Sequence, residues 1–393
     1  MLSGIADYSY ELLPLVARSA EVDAYCPRPG RFRRPKVPSG IAWRVPEDLS
    51  SNSHVYDAVY HHLGNNPWHE FVYEAALAQP GIFVFHDLSL HHLIAYLMVE
   101  RGFGIRQRDR YEQIFSEEYG SELGSRIATL KIHGVASDLE KFLFPLTAHM
   151  ARRARGIVVH STWAADQISR EAPGTPVQVI PHHAGAPPAD TVGLSREEAR
   201  RRLGLPERSF IVGHFGFVTR PKQPEVVIGG MAEVHRVRPD SMLVMVGADN
   251  TGGGLDRIID RHKLRSAVRP AGFVGLSKFY LYLKAVDAVI NLRYPSAGES
   301  SGSIARALAE GRAVICNHYH AFAELPGDAV LKVEIDRPQT EQVGEHLIRL
   351  AEDPSYKHGV EARARAYAET VLDQRRCAEL YVSFAETVAA THR

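Results

Sequence analysis

Ala288-Val289-Ile290-Asn291-Leu292-Arg293-Tyr294-Pro295-Ser296-Ala297-Gly298-Glu299-Ser300-Ser301-Gly302-Ser303 is the stretch on which the reading of this chain turns. Its apolar opening is a buried strand, Tyr294 to Gly298 forms a turn, and Ser300-Ser301-Gly302-Ser303 opens a helix that runs through Ala309. A helix that starts on small residues leaves its first amides accessible. The aligned peptide dipoles put partial positive charge there, so the segment suits a phosphate. Capping by Ser300 or Ser301 with no ligand accounts for the same residues, and one short motif does not separate the two readings.

Working outward, strand, turn and helix repeat along most of the chain, the pattern of βαβ units around parallel sheets. A first series of apolar, β-branched runs covers Val22–Cys26, Asp57–His62, Gly81–His86, Gly156–His160 and Val177–Ile180. A second covers Phe210–His214, Met242–Gly247, Val268–Phe273, Ala288–Leu292, Ala313–Cys316 and Ala329–Val333. The expected fold class is therefore α/β with two Rossmann-like doubly wound domains, residues 1–183 and 184–373. The helix-breaking run Pro181–Pro188 is the linker between them. Gln107 to Arg155 has helical composition and forms an insertion in the first domain. The last helix, within residues 374–393, crosses back onto that domain. No room exists for a strand before the opening Ser3-Gly4-Ile5-Ala6-Asp7-Tyr8, so the first strand of the N-terminal sheet is absent, or the start is truncated.

A length of 393 residues exceeds what one core normally supports. Lys+Arg and Asp+Glu balance at 46 each, which gives no basic surplus for nucleic acid as a partner. The cysteines Cys26, Cys316 and Cys377 are too far apart for a disulfide framework or a Cys-x-x-Cys site, which points to a reducing compartment. No apolar run is long enough for a membrane span and the N-terminus lacks a secretion pattern, so the expected location is the cytoplasm. Arg152, Arg153 and Arg155 could meet anionic lipid peripherally, or simply be a solvated helix end. The sequence leaves the oligomeric state open.

A second cationic loop adds to the first segment. Phe210 to Gly216 runs from a buried strand into a glycine turn, and Arg220 and Lys222 follow before the next helix. Solvated surface charge is the plain reading. The C-terminal end of a parallel strand, where ligands of open α/β sheets gather, favours a site. In the first half the same rule selects His61, His62, Asn65 and Asn66 after one strand and His86-Asp87 after the next, with His86 and Asp87 as the catalytic neighbourhood. The histidine pairs His61-His62, His91-His92 and His182-His183 are adjacent, without the spacing that sets two metal ligands on one helix face, so no metal is expected.

Taken together, Gly216 and Lys222, Gly272-Phe273-Val274 and Glu299 at a helix opening resemble family 4 of the retaining glycosyltransferases. So do Ser3–Ser9, Val158–Ala164 and Val179–His183. The resemblance covers nearly the whole chain and implies the GT-B architecture, two domains facing a central cleft, with transfer of a sugar from a nucleoside diphosphate to a hydroxyl acceptor. That acceptor would be a natural product, a polysaccharide or a lipid-linked glycan. No cofactor is implied, and the donor would carry UDP or GDP. By the same resemblance Glu299 contacts the donor sugar, the amides of Ser301, Gly302 and Ser303 hold the diphosphate with Lys222, the backbone at Phe273 and Val274 holds the base, and Gly4 belongs to a glycine loop on the acceptor side.

Two positions depart from the family pattern. A second Glu eight residues after the first is replaced by Arg306 and Ala307, so ribose binding falls to Glu310 or Arg306. The Arg usual after the first glycine is Phe217, so Arg220 or Arg293 supplies that charge. The sequence contains no Asp-x-Asp, which fits a metal-free mechanism. A nucleotide-sugar epimerase or sugar phosphorylase on the same fold, and a non-catalytic partner subunit, are the competing functions.

Overall fold

The computed structural model describes residues 4–28, 37–101, 105–135 and 139–391, so Ser3 of the opening motif lies outside the described residues. The chain divides into two compact units. Unit 1 comprises Met1–His182, Ala297–Ser300 and Gln374–Arg393, and unit 2 comprises His183–Ser296 and Ser301–Asp373.

Unit 1 is built on four parallel strands, β3 (Tyr60–Leu63), β4 (Ile82–Phe85), β5 (Gly156–Val159) and β6 (Val177–Val179), adjacent in that order. Successive side chains of a strand point to opposite faces, and the strands use both. Phe83, Phe85, Ile157 and Val159 enter one core with Tyr111, Ile114 and Phe115 of the helix Ile105–Tyr119. Ile82, Val84 and Val158 enter a second core with Tyr8 and Leu12 of the helix Gly4–Val16 and with Cys377, Tyr381, Phe384 and Val388 of the helix Gln374–Thr391. The last helix therefore does return to unit 1. It lies so close to β5 that a Cβ on Gly156 would come within 2.7 Å of Val388 Cγ2. Between β4 and β5 the described residues form the helices His91–Ala95, Ile105–Tyr119, Ser121–Ile132, Glu140–Leu143 and Ala148–Ala151 and the π-helix Tyr96–Glu100.

One strand assignment is corrected. Val22–Cys26 yields β1 (Asp23–Tyr25), which pairs in parallel with β2 (Ala42–Arg44) in a separate two-stranded sheet and not with β3 to β6. All three β2 residues are exposed, so no apolar pattern marked that strand. At the end of the helix Ala148–Ala151, Arg152 donates to Glu171 O at 2.9 Å. Among the described residues no helix is long and apolar enough to cross a membrane.

Unit 2 is a six-stranded parallel sheet with the order β12-β11-β10-β7-β8-β9. Its strands are β7 (Ile211–Phe215), β8 (Met242–Val246), β9 (Val268–Gly272), β10 (Ala288–Asn291), β11 (Ala313–Asn317) and β12 (Val330–Val333). Helices cover both faces, with Val212, Met245 and Ile290 in one core and Ile211, Val244 and Val289 in the other. The order reverses between β7 and β10, and the crevice beyond such a reversal is where doubly wound sheets bind ligands.

Just before β10, buried Asp287 ties this unit together. Its Oδ2 accepts from Arg200 Nη2 at 2.7 Å and from the Ile211 amide at 2.8 Å, and its Oδ1 accepts from Arg196 Nη1 at 3.0 Å and Lys357 Nζ at 3.3 Å. Burial opposes the charged carboxylate, but Arg200, Lys357, Arg196 and the Ile211 amide outweigh it and hold its pKa below the usual range. Asp287→Ala leaves the equally buried Arg200 without its counter-charge, so denaturant unfolding should show a loss of about 3–5 kcal/mol. A loss under about 1 kcal/mol would mean that the ion pairs do not hold the unit.

Candidate functional site

Gly216, Arg220, Lys222, Arg293 and Ser301 to Ser303, expected on the donor side, follow the ends of β7 and β10. The strands are paired with Ile290 opposite His214, so the loops that follow them leave the sheet side by side. Gly216 turns the chain out of β7 with φ +95°, a conformation that favours glycine. A Cβ there would stand 2.4 Å from Lys222 Nζ. The Lys222 side chain folds back under this turn, is only 8% exposed, and donates to Phe215 O at 3.0 Å. On the neighbouring loop a Cβ on Gly247 would lie 2.1 Å from Gly216 O, so two glycine backbones pack directly. Arg220 opens the 3₁₀ turn Arg220–Lys222 and is exposed, while Arg293 leaves β10 half-buried with its amide on Asn317 Oδ1 at 2.5 Å.

The helix Gly302–Ala309 opens as the sequence suggested, and the capping reading is also realised. Ser301 Oγ accepts from the Ile304 amide at 3.3 Å. The Ser303 hydroxyl is held by Asn291 Nδ2 at 2.9 Å, which fixes the helix end to β10. The amides of Gly302 and Ser303, first in the helix, have no acceptor inside it. The cap takes the Ile304 amide and neither of these two. Arg306 is buried one turn in, whereas Glu310 is engaged by Lys284 Nζ at 2.7 Å, so that carboxylate is occupied structurally. Phe273, 54% exposed, and half-buried Val274 follow β9 at the sheet edge, and the Gly247 amide donates to Gly272 O at 2.9 Å beside them.

Glu299 is buried, and it lies in the segment Ala297–Ser300 that groups with unit 1. Sequence reasoning passed over His214, the residue before Phe215. It is fully buried, neither ring nitrogen has a hydrogen-bond partner, and burial with Lys222 and Arg293 nearby pushes its pKa down to about 3. The ring is thus neutral.

In unit 1 the selected residues separate. His61 is a buried residue that points to the Phe83 face of the sheet, and its Nε2 meets Gln79 O at 2.8 Å. Burial lowers its pKa to about 4. His62, its neighbour in β3, points to the other face, against Tyr381. Among the described residues no three His, Cys, Asp or Glu groups are placed to hold a metal ion. Asn66 caps the 3₁₀ turn Pro67–His69 by accepting from the Trp68 amide at 3.0 Å. Asn65 ties three segments together: its amide donates to Asp87 Oδ2 at 3.1 Å, its Oδ1 accepts from the Leu93 amide at 3.1 Å, and its Nδ2 meets His92 Nδ1 at 3.3 Å. Gly4 is exposed at the start of its helix, and a Cβ there would meet nothing within 4 Å.

His86 bonds other histidines, and Asp87 holds the Asn65 amide. His86 Nε2 meets His62 Nδ1 at 3.0 Å and His86 Nδ1 meets His160 Nε2 at 3.1 Å, so both ring nitrogens are spent on histidines. His160 and His182, which the sequence placed only in motifs, complete a cluster around the ring of Tyr8.

Residues 195–369 match the family model described as Glycosyl transferases group 1. The chain is 29% identical over 257 residues to a D-inositol 3-phosphate glycosyltransferase of Salinispora arenicola, covering 61% of this chain and 56% of that protein. It is 23% identical over 186 residues to an alpha-monoglucosyldiacylglycerol synthase of Acholeplasma laidlawii, covering 46% of this chain and 45% of that one. The chain spans about half the length of the curated relatives it matches. Among solved structures, Anabaena Alr3699/HepE in complex with UDP and glucose superposes with a TM-score of 0.65 at 16% identity, covering 99% of this chain and 97% of that chain. WaaG, a glycosyltransferase involved in lipopolysaccharide biosynthesis, superposes with a TM-score of 0.62 at 15% identity, covering 97% and 96%. The chain has the two-domain GT-B fold, and its residues 195–369 match the model of the glycosyl transferases group 1.

Proposed function

We propose that this protein is a retaining, metal-independent glycosyltransferase that moves a sugar from a nucleoside diphosphate to a hydroxyl acceptor in the cytoplasm. The observation that carries this reading is that Lys222 and the helix Gly302–Ala309 follow the neighbouring strands β7 and β10, at the order reversal of the unit 2 sheet. Breaking the bond between the sugar and the diphosphate puts extra negative charge on the leaving group. A preorganised donor aimed at that charge contributes about 3–4 kcal/mol. The cation and the helix end supply such donors without a metal ion. Glu299, two residues ahead of the cap, is assigned to the donor sugar's hydroxyls, and unit 1 to the acceptor. The acceptor oxygen forms the new bond to the anomeric carbon on the face the phosphate leaves, and its proton passes to a departing phosphate oxygen. The matched relatives carry names with unlike acceptors, an inositol phosphate and a lipid, so the acceptor is set here only as a hydroxyl compound.

A thermal-shift screen of UDP- and GDP-sugars followed by transfer assays in EDTA tests this. A donor at a hundred times its Kd should stabilise the fold by about 2.7 kcal/mol, and turnover should persist in the chelator. Loss of activity that Mg²⁺ or Mn²⁺ restores overturns the metal-free mechanism. An isomerised donor formed without acceptor points to an epimerase, and failure to bind any nucleotide removes the enzymatic reading.

A further inference from the structure

The strands of the unit 1 sheet start around a cavity of about 200 Å³. Val59 leads into β3, Gln79 and Gly81 lead into β4, and Arg155 precedes β5, all of them in its lining. Tyr56 and the end of the last helix, at Val388 and Ala389, complete it. Because the strands are parallel, this edge is the opposite end of the sheet from His86 and Asp87. Gly81 and His86 are five strand residues apart, about 16 Å at the rise of a parallel strand. A single small ligand in the cavity does not reach both ends.

The lining is built for a particular kind of guest. A Cβ on Gly81 would stand 2.4 Å from Val59 O, so the entries to β3 and β4 meet backbone to backbone. Tyr56 is locked: its hydroxyl donates to Asp23 Oδ2 at 2.6 Å and, having one hydrogen, accepts from the Tyr25 hydroxyl at 2.9 Å. Burial and the Asp23 carboxylate raise its pKa, so it stays uncharged. Half-buried Gln79 gives its backbone oxygen to His61 Nε2, while its side-chain amide makes no hydrogen bond among the described residues.

Charge and size narrow the ligand. Asp57 and Arg155, both exposed and opposite in sign, are the only charged residues of the lining among the described residues, so the cavity has no net charge. A phosphate would meet Asp57, and an ammonium group would meet Arg155. A wholly apolar guest would cover the Gln79 amide without giving it a partner, which is costly. The volume is below the about 300–1,000 Å³ of pockets for drug-sized ligands, so it admits one ring. A sugar ring meets all of these conditions. Its hydroxyls both donate and accept, as the amide requires, and its C–H faces suit Val59, Pro80 and Val388.

We propose that this cavity is a second carbohydrate site, apart from the catalytic strand ends, that holds one neutral hexose ring with Gln79 as its recognition residue. The test uses the full chain with ¹³C-labelled isoleucine and valine methyl groups. D-glucose, D-galactose and D-mannose are titrated separately, with inorganic phosphate as the charged control. The methyl resonances of Val59, Ile82 and Val388 should move with at least one hexose, saturate in the millimolar range, and stay in place with phosphate. Gln79→Ala removes the amide, keeps the backbone oxygen, and should weaken hexose binding about tenfold. Ala389→Trp fills the cavity and should abolish binding, with melting temperatures showing that both variants fold. Should Ala389→Trp fail to fold, Gln79→Ala alone decides. Methyls unmoved by all three hexoses, an equal response to phosphate, or unchanged affinity in Gln79→Ala overturns the proposal. The titrations contain no nucleotide, so their outcome is independent of the glycosyltransferase reading.

Discussion

Acidification from pH 7 to about 5 should unfold unit 1 while unit 2 keeps its structure. Unit 1 holds, among the described residues, five histidines whose pKa values burial depresses from 6.5: His61 and His69 to about 4, His91 to about 3, His160 to about 4, and His86 well below its ordinary value. Above pH 6.5 folded and unfolded chains both carry neutral rings, and the full stability is present. As pH falls from 6.5 toward 4 the unfolded chain takes up protons that the folded rings refuse. Stability is therefore lost across that window. Each ring costs about 2 kcal/mol by pH 5. At half that figure the five together remove about 5 kcal/mol, the low end of a whole domain's stability.

Unit 2 adds His214, at about 3. Its Asp287 hub loses its contribution only as pH falls through and below the carboxylate range, because that pKa is lowered. The three tryptophans, Trp43, Trp68 and Trp163, all belong to unit 1, so their fluorescence follows that unit selectively. Far-ultraviolet dichroism follows both. Tryptophan emission that stays native down to pH 4.5 would mean that these rings are not neutral and buried as described.

Unit 2 could be read almost strand by strand because buried parallel strands are continuous apolar runs. Val289, Ile290, Val314 and Ile315 have no exposed face to interrupt the pattern. β2 failed for the opposite reason, since Ala42, Trp43 and Arg44 sit on an exposed two-stranded ribbon. The strand ends and the helix opening of unit 2 were legible. The histidine contacts of unit 1 were not, because they depend on pairing across the sheet. His62 and His86 are 24 positions apart, His86 and His160 are 74 apart, and no local pattern joins them. One part of that arrangement could have been read from the sequence. Alternation along β3 puts His61 and Leu63 on one face and Tyr60 and His62 on the other, and Leu63 marks the His61 side as core. The glycines at 216 and 247 were partly visible as turn residues. Their contact was not, since it depends on how two separate loops approach.

Replacing Lys222 should cost more activity than any other single change on the donor side. The ammonium is held beneath the Gly216 turn, where Phe215 O accepts one of its three hydrogens, so its position is set before any ligand arrives. A donor preorganised in this way loses little on meeting the charge of a leaving diphosphate, and its removal is worth about 10²–10³ in kcat. Lys222→Met is the decisive variant, because it keeps most of the buried aliphatic stem and removes the charge. It should show that loss in kcat, weakened stabilisation by nucleoside diphosphate, and an almost unchanged melting temperature without ligand. Lys222→Arg should not restore activity, since a guanidinium is larger than the space left below Gly216, where Nζ already stands 2.4 Å from the place of a Cβ. If Lys222→Met keeps more than about a third of the kcat but melts several degrees lower, the lysine is a strut for the turn. The leaving-group charge must then be met by Arg293 and the amides of Gly302 and Ser303 alone.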